Sequence, residues 1–351
     1  MKKKIPWKRF LSVVYILITV VVVLVIGATN NSFDQLSEAF ASFDLTWLVI
    51  MLAAVAGYYL MENYTLWYYL RAEDSPMSFW TSLKVTMIGQ YYSALTPFAS
   101  GGQPVQVYYM KKHGVPVGTG SSAMTVKMIL FNISMVLMGI TGMIINFRYF
   151  TEKAPVALPF GIFGIVLNSC LIILFWVMFF NRAFCAKVVK GIAKLLHKLR
   201  ILKDLEKSNE NIDNVLMEYF GCVEFIKKHP KKMVWLFFAT LFQTFLLMSV
   251  SYCVYRAFGF SEASPVLFIS LQYVLYIAVS YVPLPGASGA QEGGFVLFFQ
   301  GIVPEDKTYI VMIIWRFFTY FVSIIAGGAV VVWETVRGFL PKGGTEDPDQ
   351  Q

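Results

Sequence analysis

Charge is scarce in this chain. Lysine, arginine, aspartate and glutamate together make up 14% of its 351 residues, where an ordinary soluble domain carries about 25%. That is too little to clothe a water-facing surface. Groups that build metal or redox centres are sparser still. His113, His197 and His229 stand apart from one another, and Cys170, Cys185, Cys222 and Cys253 have neither zinc-site nor disulfide-framework spacing. No GxxxxGK[ST] loop is present, which removes the usual signature of nucleotide hydrolysis. The sequence therefore points to no catalytic residue, no metal and no cofactor.

Apolar residues are what it has instead: 57% of the chain is hydrophobic and 17% aromatic, with a mean hydropathy of +0.61. Runs of about 18 or more apolar residues suffice to cross a bilayer. They fall at 10–28, 45–61 (continuing as an aromatic stretch), 121–146, 158–180, 233–258 and 309–333. The first is long and lacks a clean small-residue cleavage site, so it is read as a retained helix and not as a signal peptide. Basic residues gather on the cytoplasmic side of short loops. Lys2, Lys3, Lys4, Lys8 and Arg9 place the N-terminus there. Threading outward then puts Lys111, Lys112 and the basic stretch 182–232 inside, with Arg148, Lys153 and Lys307 outside. The net charge of +8 thus belongs to cytoplasmic loops, and no nucleic-acid partner is expected.

Two more apolar segments, 79–96 and 265–282, each run into nearly the same short sequence: PFASGGQP at 97–104 and PGASGAQE at 285–292. The proline, alanine, serine, first glycine and glutamine agree position for position. Proline ends a helix, and Ser-x-x-Gln is a capping-box pattern that opens one, so Ser100 with Gln103 and Ser288 with Gln291 are expected to cap two new half-helices. Residues 103–113 and 289–300 would each rise about 16 to 18 Å, roughly half a hydrocarbon core. On the threading above, the two copies enter from opposite faces. Each reads as a re-entrant hairpin, and broken helices meeting at the midplane of an inverted repeat mark a transporter-type site. Pro104 would forfeit one early hydrogen bond of its half-helix.

A half-helix N-terminus presents free N–H groups and partial positive charge, which suits an anion, and glycines let it approach. Lys127 and Arg316 lie 30 and 31 positions after the two motif prolines, each about two turns into the following span. Buried charges in a span are functional candidates, although Lys127 could also snorkel to the near interface. Glu292 is either the matching acid for a cationic head group, a coupling site, or a structural partner of Arg316. Glu62 reads as interfacial, and Lys84 and Arg256 as snorkelling. The candidate binding residues are therefore Ser100, Gly101, Gly102, Gln103, Lys127, Ser288, Gly289, Gln291, Glu292 and Arg316.

Thr96 to Pro104 with the following VQVYY at 105–109, together with PLPGASGAQEGG at 283–294, resembles the flippase-like family called the lysylphosphatidylglycerol synthase transmembrane region, over roughly 10–335. Many relatives carry an arginine shortly after the first glycine pair, where Gln106 stands here. The resemblance implies a lipid translocase of a bacterial inner (cytoplasmic) membrane, both termini cytoplasmic, moving a phosphate-bearing lipid such as phosphatidylglycerol or its lysyl form. Anionic membrane lipids would be its partners. The other reading is a phosphatidylglycerol lysyltransferase-related or other lipid-modifying component, presenting lipid to a separate synthase. Aminoacyl transfer from tRNA needs a few hundred residues of mixed structure, and the longest polar insertion here, 181–232, is about fifty. Within it Val188, Val189, Ile192, Leu195, Leu196 and Leu199 recur at helical spacing among Lys187, Lys190, Lys194, Lys198 and Arg200, a basic amphipathic helix suited to an anionic leaflet. A second helix is expected from about Leu205 to Lys228.

The expected fold is an all-α polytopic membrane protein, an inverted repeat with six spanning helices and two re-entrant helix hairpins. Residues 1–146 form one half, 158–180 a connecting helix, 181–232 a cytosolic helical hairpin and 233–335 the second half. Residues 336–351, with Asp347 and Asp349 beyond a glycine pair, are expected to be a disordered cytosolic tail.

Overall fold

Apolar segments of this length can satisfy their backbone in hydrocarbon only by folding as helices, and every named element is helical. The computed structural model describes residues 43–198 and 205–339. In chain order they are α1 Leu45–Ala72, α2 Phe79–Leu95, a 3-10 turn Pro97–Ala99, α3 Gly102–Lys112, α4 Val117–Ile145, α5 Phe147–Glu152, α6 Ala157–Phe180, α7 Arg182–Lys198, α8 Leu205–Lys228, α9 Pro230–Ala257, α10 Pro265–Val279, a second 3-10 turn Pro285–Ala287, α11 Ala290–Phe298, α12 Glu305–Arg316, a π turn Phe317–Phe321, and α13 Val322–Phe339. Among the described residues five helices are long and apolar enough to cross a bilayer: α1, α4, α6, α9 and the run Glu305–Thr335. The chain is a multi-pass membrane protein. The sixth expected span, 10–28, and the N-terminus expected on the cytoplasmic side lie outside the described residues.

The succession long helix, shorter helix, 3-10 turn, short helix, long helix occurs twice: α1 to α4, and α9 to α13. The two sets interlock. α1 packs along α9, α2 along α13, and α10 along α4, so each hairpin leans on the long helix of the other set. In lipid, small residues that let backbones approach closely take over from the hydrophobic effect, and glycines stand at these crossings. A Cβ on Gly327 of α13 would come 2.5 Å from the Met87 carbonyl of α2, and one on Gly142 of α4 would come 2.7 Å from the Ser270 side chain of α10. Outward from these contacts α6 shows Ile162, Phe163, Val166, Ile173 and Trp176 to the surroundings, as a lipid-facing span should.

The polar insertion forms the helices α7 and α8, joined by the Lys190–Asp213 ion pair at 2.7 Å. α8 docks on the start of α4, where the Gly118 N–H donates to Glu218 Oε2 at 2.9 Å. On the opposite end, Tyr149 of α5 reaches the carbonyls of Phe298 and Gln300, and burial pushes its pKa up to about 12.

Four local expectations are corrected. The expected capping boxes do not form: Ser100 and Ser288 turn back onto the carbonyls of Pro97 and Pro285 at 2.9 and 2.8 Å, because the 3-10 turns leave those carbonyls within reach. The helices start one residue later, after Gly101 and Gly289. Pro104 forfeits nothing, since it is the third residue of α3, where the N–H has no intrahelical partner. The spanning segments begin earlier than their apolar runs, at Val117 and Glu305, so Lys127 and Arg316 sit ten and eleven residues in, about 15 Å of rise. Finally, α13 runs to Phe339, four residues into the expected tail; the remainder of that tail is outside the described residues.

Candidate functional site

The two 3-10 turns are near copies in backbone terms. Phe98 has φ 56° and ψ 18°, and Gly286 has φ 60° and ψ 17°; each is followed by a left-handed alanine, Ala99 at φ 52° and Ala287 at φ 49°. Three non-glycine residues in the left-handed region carry strain of about 1 to 2 kcal/mol each. The turns touch one another, and the Tyr320 hydroxyl of the π turn donates to the Ala94 carbonyl beside the first turn at 3.0 Å. Gly286 has no room for a side chain, since its Cβ would enter the Tyr320 ring. The π turn brings Tyr320 to this contact, consistent with the habit of π bulges to occur where a side chain must be re-aimed.

Two ion pairs flank the turns. In the second set, Arg316 Nε donates to Glu292 Oε1 at 2.6 Å and Nη2 donates to the Gly286 carbonyl at 3.0 Å, while the guanidinium lies 4.6 Å from the Tyr320 ring centroid. Glu292 Oε2 accepts from the Gly289 N–H at 2.6 Å. This carboxylate thus occupies the N-terminus of α11, and Arg316 holds turn and half-helix together. In the first set, Lys127 Nζ donates to Glu62 Oε1 at 3.2 Å, and Glu62 Oε2 accepts from Gln90 Nε2. The motif position of Glu292 is Pro104 in the first set, so the acid for Lys127 comes from α1.

A cavity of about 850 Å³ opens beside the first turn, within the size range of small-molecule sites. Its wall carries the Glu62–Lys127 pair, Gln90, Asn168, Gln243 and Tyr281, and its rim carries the exposed Phe98, Ser100 and Gln103. A smaller chamber of about 180 Å³ adjoins the second turn and is lined by Gln272, Gln291, Trp315, Arg316 and Tyr59. Tyr58, Gln90, Ser93, Phe98 and Tyr276 line both, so the two spaces share a wall.

Of the sequence-derived candidates, Ser100, Gln103 and Lys127 line the large cavity and Gln291 and Arg316 the small one. Gly101, Gly102, Ser288, Gly289 and Glu292 line neither. Gly102 is buried where a Cβ would meet Ser93 and the Gly89 carbonyl. The Gly101 N–H is taken by Thr96 Oγ1 at 2.8 Å.

Sequence reasoning missed Glu62, read as interfacial: α1 continues ten residues past it to Ala72, and it is 7% exposed. It also passed over Gln90, Asn168 and Gln243. A polar residue inside an apolar helix is the available signal, because such residues face the interior of a bundle. Lys84, read as snorkelling, pairs with Glu334 at 3.0 Å, and Arg256 lies over Trp47. Gln106 is buried against Gly89. Among the described residues there is no cluster of histidine, cysteine and acids able to hold a metal.

Residues 12–327 match the family described as Lysylphosphatidylglycerol synthase TM region. The chain is also similar to a UPF0104 membrane protein of Archaeoglobus fulgidus, 23% identical over 322 residues, covering 85% of this chain and 93% of that one. The chain belongs to the Lysylphosphatidylglycerol synthase TM region family.

Proposed function

We propose that this member of the family is a lipid translocase, passing the head group of a phosphate-bearing lipid such as phosphatidylglycerol through the polar cavity between two re-entrant hairpins while the acyl chains stay in the bilayer. The observation that carries this reading is the large cavity whose wall holds a buried ion pair about 15 Å from the helix ends, with broken-helix backbone at its rim. Unsatisfied backbone at that depth is tolerated only where it is buried in protein or lines a polar space. The recurring succession α1–α4 and α9–α13, entered from opposite faces on the positive-inside threading, supports an inverted repeat with the cavity on the cytoplasmic side. Arg71, Lys111 and Lys112 lie at the ends of the helices that frame it there.

A phosphate stripped of water must be given replacement donors. The start of α3 offers the N–H of Gln103, which lines the cavity, and the Lys127 ammonium has three donors of which Glu62 takes one. Binding of the anion would draw Lys127 from Glu62 without leaving either group in hydrocarbon. Leaflet exchange of labelled phosphatidylglycerol in proteoliposomes tests this, comparing the unaltered chain with Lys127→Met. Exchange that falls at least tenfold in the variant is expected. A folded protein that moves no lipid would instead favour a component that presents lipid to a separate synthase.

A further inference from the structure

The apolar face of α7 is covered only in part by the rest of the chain. Cys185 and Ala193 are buried, on the side where α6 and α8 pack. The remainder runs through Phe184, Val188, Ile192 and Leu195, which share one helical stripe. Its far end is open: Ile192 is 53% and Leu195 56% exposed. An exposed apolar stripe rimmed by polar groups marks an interaction surface.

Position identifies the occupant. α7 begins at Arg182, two residues after the span α6 ends at Phe180. Trp176, one turn before that end and 51% exposed, is of the residue type that gathers where hydrocarbon meets water. Phe179 of α6 meets Tyr219 of α8 edge to face at 5.9 Å, and Glu218 of α8 accepts from Gly118 at the start of α4. The pair α7–α8 is thus fastened to two spans close to their ends. Charge agrees with position. α7 carries Arg182, Lys187, Lys190, Lys194 and Lys198 and no acidic residue, so two copies of this helix would repel one another, whereas an anionic lipid surface attracts each cation. Lysines beside an apolar stripe keep their ammonium groups among the head groups while the stripe enters the acyl boundary.

We infer that the open stripe of α7 is a peripheral lipid-binding surface, seated on the leaflet at which α6 ends and selective for anionic head groups. Its residues line neither the large cavity nor the small chamber. The surface therefore stands whether or not the protein moves lipid.

The test is photo-crosslinking of the full chain in vesicles of phosphatidylcholine with a minority of phosphatidylglycerol. p-Benzoyl-phenylalanine is placed at Ile192, at Leu195 and, as a control from another side of the helix, at Lys194, and the adducts are identified by mass. Lipid adducts are expected at Ile192 and Leu195 and few at Lys194, with phosphatidylglycerol exceeding its share of the vesicle lipid about fivefold, the attraction of roughly one lysine. Lys187→Gln combined with Lys198→Gln should lower that excess while lipid adducts at Leu195 persist. A crosslink from Ile192 or Leu195 to another protein chain, no lipid adduct at either, or equal adducts at Lys194 would overturn the inference. So would lipid adducts that merely follow the bulk composition. Each of these outcomes is read at an exposed position of an otherwise unaltered chain, so none depends on a core variant folding.

Discussion

Replacing Arg316 with alanine deletes one buried cation and strands two acceptors at once. Glu292 keeps only the Gly289 N–H, and the Gly286 carbonyl loses its donor. Breaking one side of a buried pair costs about 3 to 5 kcal/mol. The Glu292 side chain is 30% exposed against 9% for Arg316, so water can recover part of the loss, and about 3 kcal/mol is expected for Arg316→Ala. Glu292→Ala leaves the more buried partner unpaired and should cost at least as much. The double variant Arg316→Met with Glu292→Leu removes both charges, and apolar replacement of a buried pair is often neutral, so it should cost less than either single change. Reversible unfolding in detergent gives the three stabilities, and leaflet exchange gives the function. If the pair serves only to hold the turn, the double variant will recover exchange along with stability. If Arg316 also meets the cargo, stability returns and exchange does not. Single changes costing under about 1 kcal/mol, or additive costs in the double variant, would refute the geometry of a buried, coupled pair.

Three further outcomes follow from the turns. Phe98→Gly relieves a left-handed residue whose side chain is 55% exposed, and should raise stability by about 1 kcal/mol in the same unfolding assay. Gly286→Ala adds a methyl at φ 60° against the Tyr320 ring, and should lower it by about 1 to 3 kcal/mol. Pro104→Glu places a carboxylate at the third position of α3, as Glu292 is placed in α11, and calorimetry should then show anionic lipid binding weakened tenfold or more.

Much of the fold is legible in the sequence because hydropathy reports it directly. The runs beginning near 45, 121, 158, 233 and 309 are α1, α4, α6, α9 and the α12–α13 helix, since a stretch of that apolarity has no stable alternative in lipid. Pro97 and Pro285 mark the two breaks for the same local reason, that proline cannot continue a helix. What hydropathy cannot report is where a polar residue near the end of a run finds its partner. Glu62 and Lys127 are 65 positions apart and meet through the packing of α1 on α4, so neither position announces in the sequence the partner it pairs with. The caps failed for a different reason. Ser-x-x-Gln describes a local competition, and the proline carbonyl three residues earlier, exposed by left-handed backbone, won the serine hydroxyl in both copies.

The two turns share a backbone but have divided the chemistry. At the third position of its half-helix the second copy carries Glu292, which fills the positive end of α11 and is itself neutralised by Arg316. That end is closed to another anion. The first copy carries Pro104 there, with neither a carboxylate nor an N–H, and Lys127 takes its acid from α1 instead. The start of α3 therefore keeps its partial positive charge facing the larger cavity, with an ammonium group in the same wall. Of the two turns it is thus the first that favours an anion, and the chamber at the second lies across the wall the two spaces share.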